Sequence, residues 1–263
     1  MSKRKRRNQC VVCKEWFKKH EMSEEHYPAK TVGNVDIVKV NAQNMLDIEK
    51  ASSSVIKMKK LIELGMTYDE ALDEIFQKEY VEEAYYQGRT IRTLCRKCNT
   101  LLGQYDFSYK KFFEKDGDPN LIKGFQKHTK IEIIKSIYGK FLSIPECKDE
   151  NFDFLDFIRI LDLERYSGEW NLYVVKRGFD TDIMNMKYIN TGVLHYEEGT
   201  IYEFSDDKFI FHLMNFACHP SEQEMSFWDI LKKKYEFIPV SKITGGYHGM
   251  LLISQALEGF PNL

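Results

Sequence analysis

Two Cys-x-x-Cys pairs, Cys10/Cys13 and Cys95/Cys98, constrain this 263-residue chain more than any other feature, and 81 residues lie between them. Two thiols at this spacing leave a tight turn on one side and make half of a tetrahedral site. Two such pairs make a whole one, in which four thiolates bind Zn²⁺ and leave it no open position. Disulfides suit the pattern less well, because the basic start Lys3-Arg4-Lys5-Arg6-Arg7 runs into Cys10 without an apolar signal region, which leads us to expect a cytoplasmic, reducing location. A redox Cys-x-x-Cys is the main competitor, weakened by the lack of a strand-Cys-x-x-Cys-helix βαβ context at either pair. The separation exceeds that of a compact zinc ribbon, so the fold must gather the pairs around an insertion. Cys147 and Cys218 have no paired partner in sequence and read as core or surface thiols, with Cys218-His219 a weaker metal-binding alternative.

Charge is informative only when divided along the chain. The net value is -2, yet residues 1–30 carry nine Lys/Arg against four Asp/Glu and residues 86–130 carry ten against four, leaving -13 on the rest. Both basic stretches contain a cysteine pair. Lys3, Arg4, Lys5, Arg6, Arg7, Lys30, Arg89, Arg92, Arg96 and Lys97 are therefore candidate contacts to a polyanion, since cations that neutralise phosphates gain affinity by counterion release. The apolar runs are short and broken by charge, so no membrane partner is expected.

The pattern predicts an α+β chain with a zinc-stapled N-terminal module over 1–145 and an α+β domain over 146–263. Residues 31–87 read as an inserted helical pair: one helix over 42–64, ending at Gly65, and one from the Thr67-x-x-Glu70 capping box to about 85. His26 falls on an extended segment because Pro28 disfavours helix before it. A short strand over 90–94 delivers Cys95, and helices follow from about Cys98 to Phe113 and over 119–142. Residues 152–163 look helical. The stretches 170–175, 186–195, 200–204 and 209–216 are aromatic and β-branched, as expected of an antiparallel sheet. His195, His212 and His248 show no metal spacing and read as ordinary sheet or surface histidines, and Gly245-Gly246 is a turn signal without the company of a phosphate loop.

Phosphodiester chemistry needs an activated water, a cation on the phosphate and a grip on the backbone. His26 can serve as general base near neutral pH, and Glu25 beside it offers a hard oxygen to Mg²⁺ or Mn²⁺. Asn99, next after the last cysteine, offers a second oxygen. With Cys-x-x-Cys, Glu-His-x-Pro-x-Lys at 25–30 and Leu-Cys-x-x-Cys-Asn-x-x-x-Gly at 94–103, the chain resembles the zinc-bearing HNH (ββα-metal) endonucleases, including phage recombination endonucleases that resolve branched DNA. The resemblance covers about 1–30 and 88–106. It implies structural zinc on Cys10, Cys13, Cys95 and Cys98, a divalent catalytic ion on Glu25 and Asn99, His26 as the water-activating base, and DNA as substrate. The chain departs from the pattern where many members have Asp in place of Glu25, and where Leu102 stands at a position that often carries an acidic residue or His. Asp106 lies seven residues after Asn99, about 10 Å along the same helical face and too far to share an ion; it either orients a water or a lysine or merely solvates the helix.

Two other readings stay open at this stage. One is a non-catalytic zinc module that binds nucleic acid, or a protein partner through the C-terminal domain. The other is an enzyme directed at RNA, since phosphate contacts do not reveal the sugar.

Overall fold

In the computed structural model, which describes residues 7–178, 188–216, 224–237 and 246–258, the first thiol pair occupies a turn between two short antiparallel strands, β1 (Arg7–Gln9) and β2 (Trp16–Lys18). Lys3, Arg4, Lys5 and Arg6, the Cys218-His219 pair, Gly245 and the first residues of the strand expected over 186–195 lie outside the described residues. The turn is closed by Cys10 N–H to the Glu15 carbonyl at 2.9 Å and by Lys14 N–H to the Cys10 carbonyl at 2.9 Å, with Lys14 in the left-handed region at φ 62°. Strand β3 (Glu25–His26) follows, so His26 is extended as Pro28 requires.

The chain divides into two compact units, one of Met1–Asn34 with Thr90–Leu251 and one of Val35–Arg89 with Leu252–Leu263. The second unit pairs β4 (Ile37–Val40) with β5 (Val81–Tyr85) and holds α1 (Ala42–Leu46), α2 (Ile48–Glu63) and α3 (Tyr68–Glu79). The helix predicted over 42–64 is broken at Asp47, whose carboxylate accepts the Lys50 N–H at 3.0 Å and so caps a new helix. Thr67 and Glu70 form the reciprocal capping box that their spacing predicts. The helix they open ends at Glu79, short of the expected 85, because Val81–Tyr85 pairs with a strand instead.

The first unit continues with β6 (Thr90–Ile91), antiparallel to β3 with His26 opposite Thr90, and α4 (Arg96–Glu114), whose N-cap is Cys95. Helix α5 (Lys127–Ser143) begins later than predicted, after turns through 116–126. It is buried on nearly all sides, with Ile133, Ile134, Ile137, Tyr138 and Phe141 fully enclosed. Gly139 lets α4 approach: a Cβ there would meet Leu102 Cδ2 at 2.9 Å. The stretch expected to be helical over 152–163 contains only α6 (Leu155–Arg159).

The sheet is antiparallel as predicted. Strands β7 (Asn171–Lys176), β8 (Thr191–His195), β9 (Thr200–Ser205), β10 (Phe209–Met214) and β11 (Met225–Ser226) lie in the order β11-β7-β10-β9-β8. Every residue of β10 is buried, so both its faces are covered. Phe209 and Phe211 turn one way, and Phe112 of α4 packs on Phe209 with ring centroids 5.1 Å apart. Helices α4 and α5 and this sheet face share one apolar core. The chain does not divide near residue 145, where the boundary was expected: the sheet completes the core of the cysteine-bearing region. Helix α7 (Gly246–Leu257) closes the described chain. No helix of the described residues is long and apolar enough to cross a membrane.

One core predicts one transition. Phe112→Ala is expected to cost about 3–5 kcal/mol and to lower the urea midpoint of the whole first unit. Denaturation followed by tryptophan fluorescence and by far-UV circular dichroism checks this, and non-coincident curves would show that sheet and cysteine region fold separately.

Candidate metal centre

The fold brings the two thiol pairs together. The sulfurs of Cys10, Cys13, Cys95 and Cys98 all lie within 4.8 Å of one another, and none of these cysteines is disulfide-bonded. Cys13 Sγ and Cys95 Sγ are 3.9 Å apart, close to the edge of about 3.8 Å for a tetrahedron of sulfurs each ~2.3 Å from zinc. Backbone bonds set this geometry: Val11 N–H reaches the Thr93 carbonyl at 3.0 Å, and Cys95 N–H points at Cys10 Sγ at 3.3 Å. The cluster can hold a metal ion such as zinc. Burial alone would raise the Cys10 thiol, but the N–H groups of Cys13, Cys95 and Val12 outweigh it and pull it down. Burial pushes the Cys98 thiol up, and bonding to Cys95 and the charge of Cys10 add to this. Four sulfurs this close cannot all be thiolates without a cation among them. The start of α4 contributes in the same sense, since a helix N-terminus favours negative charge.

Glu25 and His26 lie between the two thiol pairs in the chain, and Asn99 directly follows Cys98. Glu25 is buried on β3, and its Oε1 accepts Lys140 Nζ of α5 at 2.9 Å. Lys140 also donates to Asp106 Oδ2 at 2.7 Å, and Asp106 Oδ1 accepts Ser136 Oγ at 2.7 Å. Asp106 thus orients a lysine. Burial would push the Lys140 ammonium down, but Asp106 and Glu25 outweigh it and hold it above the usual lysine range. Glu25 Oε2 is buried and meets no hydrogen-bond partner among the described residues. An orphaned oxygen of this kind costs about 1–3 kcal/mol unless something else satisfies it. Asn99, in the first turn of α4, donates Nδ2 to Ser23 Oγ at 2.8 Å, which leaves its Oδ1 outside that bond. His26 is half-buried beside Thr90.

Among the candidate polyanion contacts, Arg7, Lys30, Arg92, Arg96 and Lys97 are exposed and Arg89 is half-buried. Arg92 pairs with Glu24 at 3.3 Å on the surface, and Arg96 donates to the His20 carbonyl at 3.4 Å.

A second cluster was not legible as such in the sequence. On the sheet face away from α4, His212 of β10 sits directly opposite Glu203 of β9. Its Nε2 lies 2.9 Å from Glu203 Oε2 and its Nδ1 lies 2.5 Å from Glu224 Oε1. His248 of α7 reaches Glu203 Oε1 with Nδ1 at 2.8 Å, and Asn190 Nδ2 reaches the same oxygen at 2.8 Å. The expectation of ordinary histidines therefore needs correction for His212 and His248, which are buried partners in one ionic string. His195, by contrast, is exposed at the end of β8. The available signal was a lone ionisable residue inside each apolar run, Glu203 in Thr-Ile-Tyr-Glu-Phe-Ser and His212 in Phe-Ile-Phe-His-Leu-Met.

Compared with known proteins, the chain matches no family model, no curated protein and no solved structure.

The donor set predicts one tightly held zinc ion per chain, and Cys95→Ser is expected to lose it together with the folding of the cysteine region, because thiolate coordination contributes about 10 kcal/mol or more of folding free energy. Elemental analysis and calorimetry of the two proteins check this, and a metal-free protein that melts normally would exclude it. For His212, burial lowers the imidazole but Glu224 and Glu203 raise it to about 10 from 6.5. The stabilisation from a raised histidine is complete below the unfolded value and is lost as pH climbs through the folded one. The melting temperature should therefore fall between about pH 6.5 and 10, and His212→Gln should start lower and flatten this fall. Parallel curves for the two proteins would contradict the assignment.

Proposed function

We propose that this protein is a metal-dependent endonuclease of the HNH type that hydrolyses phosphodiester bonds in DNA. What supports the reading is that the two cysteine pairs of the cluster flank the antiparallel strand pair β3–β6 in the chain, that the second pair opens α4, and that these elements carry the three chemical candidates. Glu25 and His26 lie on β3, and Asn99 lies in the first turn of α4. Each proposed ligand has one atom anchored and one oxygen outside that anchor: Lys140 holds Glu25 Oε1, and Ser23 holds the Asn99 amide nitrogen. The zinc is structural in this reading, because four thiolates saturate it. Glu25 and Asn99 would hold a Mg²⁺ or Mn²⁺ ion, whose chemistry when bound would be positive charge for the phosphate and the leaving oxygen. His26 would take the proton of the attacking water as the water oxygen bonds to phosphorus, and the leaving oxygen departs with the electron pair of the broken P–O bond and takes a proton from solvent. Arg7, Lys30, Arg92, Arg96 and Lys97 offer exposed cations for the backbone.

One observation favours a second reading, a zinc module that binds nucleic acid or a protein without cleaving. Glu25 already pairs with a cation, the Lys140 ammonium, which it shares with Asp106.

Incubation with supercoiled, linear, branched and single-stranded DNA and with RNA, with Mg²⁺, Mn²⁺ or EDTA, decides between them. His26→Ala is expected to reduce cleavage by about 10²- to 10⁴-fold while zinc content, melting and DNA binding stay near wild type. Single-turnover cleavage within a few-fold of wild type would remove His26 as the base, and a wild-type protein inactive on every substrate would favour the binding module.

A further inference from the structure

The best-anchored polar group near the proposed site belongs to no cysteine or Glu-His motif. Lys140 lies on α5, 115 residues from Glu25 in sequence, and its side chain is 6% exposed. Its ammonium joins Glu25 of β3 to Asp106 of α4, and Asp106 is fixed in turn by Ser136, one helical turn before Lys140. Asn99 and Asp106 share α4, and the Asn99 amide bonds Ser23, two residues before Glu25. The segment carrying Glu25 is thus tied to α4 twice, once directly and once through Lys140.

Burying the Glu25–Lys140 pair, with Asp106 half-buried beside it, is a poor way to gain stability, since apolar residues of the same volume do as well or better. The arrangement is also incomplete as a structural device: Lys140 uses one Glu25 oxygen and leaves the other buried without a partner among the described residues. Local rules broken without structural gain are a mark of functional sites.

We propose that Lys140 is a positioning residue: held by Asp106 and Ser136, its ammonium fixes the Glu25 carboxylate through Oε1 and presents Oε2 to the divalent ion. This rests on the endonuclease reading of Glu25 as a metal ligand. It assigns to α5, outside the stretch that resembles the HNH enzymes, a part in setting the affinity of the site.

The sign of one measurement separates positioning from mere charge balance. Removing a cation beside a metal site strengthens metal binding by Coulomb's law alone, whereas removing a residue that orients the ligand weakens it. The full-length, zinc-loaded protein is titrated with Mn²⁺ by electron paramagnetic resonance, as wild type, Glu25→Gln, Lys140→Met and Ser136→Ala. Lys140→Met should raise the Mn²⁺ dissociation constant at least tenfold despite the lost positive charge, with zinc content unchanged. Ser136→Ala, which alters no charge, should raise it a few-fold, and it alone decides the matter if Lys140→Met fails to fold. Half-saturating Mg²⁺ for cleavage should move in parallel, and the rate at saturating Mg²⁺ should change less. If Glu25→Gln abolishes Mn²⁺ binding but Lys140→Met binds as tightly as wild type or more tightly, the Lys140 proposal is overturned and the ligand assignment stands. If the wild type binds no Mn²⁺, or Glu25→Gln leaves binding intact, the ligand assignment falls and takes this proposal with it.

Discussion

Everything in the first unit is arranged around the convergence of two cysteine pairs from distant parts of the sequence. Cys95 has two structural duties: its thiol joins the cluster, and its backbone caps α4. Where the sulfurs meet, the start of α4 is fixed against the β1–β2 turn, and the strand pair β3–β6 is fixed with it. The Met22–Cys95 bridge and the Ser23 N–H to Leu94 carbonyl bond at 2.7 Å carry this constraint to the segment that ends in Glu25 and His26. A metal at the cluster therefore does more than close a loop, because it sets the helix terminus on which Asn99 stands.

The cluster does not build the wall behind the site. That wall is α5 and the sheet. Tyr109 of α4 donates its hydroxyl to Asp206 at the β9–β10 turn, and Asp207 N–H of the same turn reaches the Val32 carbonyl at 3.2 Å, just past the Glu-His-x-Pro segment. Burial raises the Asp206 carboxyl to about 6, against the opposing hydrogen bonds from Tyr109, Lys208 and Phe209. The sheet thus supports the loop after β3, which explains why the core shows no seam where a separate C-terminal domain was expected.

How far the sequence discloses all this depends on the kind of signal. The thiol cluster, the Thr67 capping box and the antiparallel sheet rest on local chemistry with strict spacing, and these were legible. The break at Asp47 and the strand Val81–Tyr85 were not, because each depends on a competing local interaction that outweighs helical periodicity: a side-chain cap in one case and pairing with Ile37–Val40 in the other. Lys140 was invisible for a different reason. In α5 it follows Lys130 and Lys135, both also buried, with Lys130 Nζ bonded to the Lys232 carbonyl and Lys135 Nζ to those of Ile160 and Leu161. Lysines five residues apart fall on different sides of a helix, each of them a residue type that normally stays in solvent, and only tertiary context shows all three buried.

Both ionic networks leave a carboxylate oxygen buried without a hydrogen-bond partner among the described residues. In the sheet, His212 has both ring nitrogens held by carboxylates, and Glu203 accepts from His212, His248 and Asn190, so the string ties β9, β10 and α7 together while Glu224 Oε2 stays outside its bonds. In the Lys140 triad the ammonium donates to Glu25 and to Asp106, and the Glu25 carboxylate keeps one oxygen without a partner among the described residues, on the strand that also carries His26. Low dielectric strengthens a satisfied network and penalises an unsatisfied one. What sets the Glu25 oxygen apart is its place, on the strand that carries His26 and two residues from Ser23, which holds the amide of Asn99 at the start of α4.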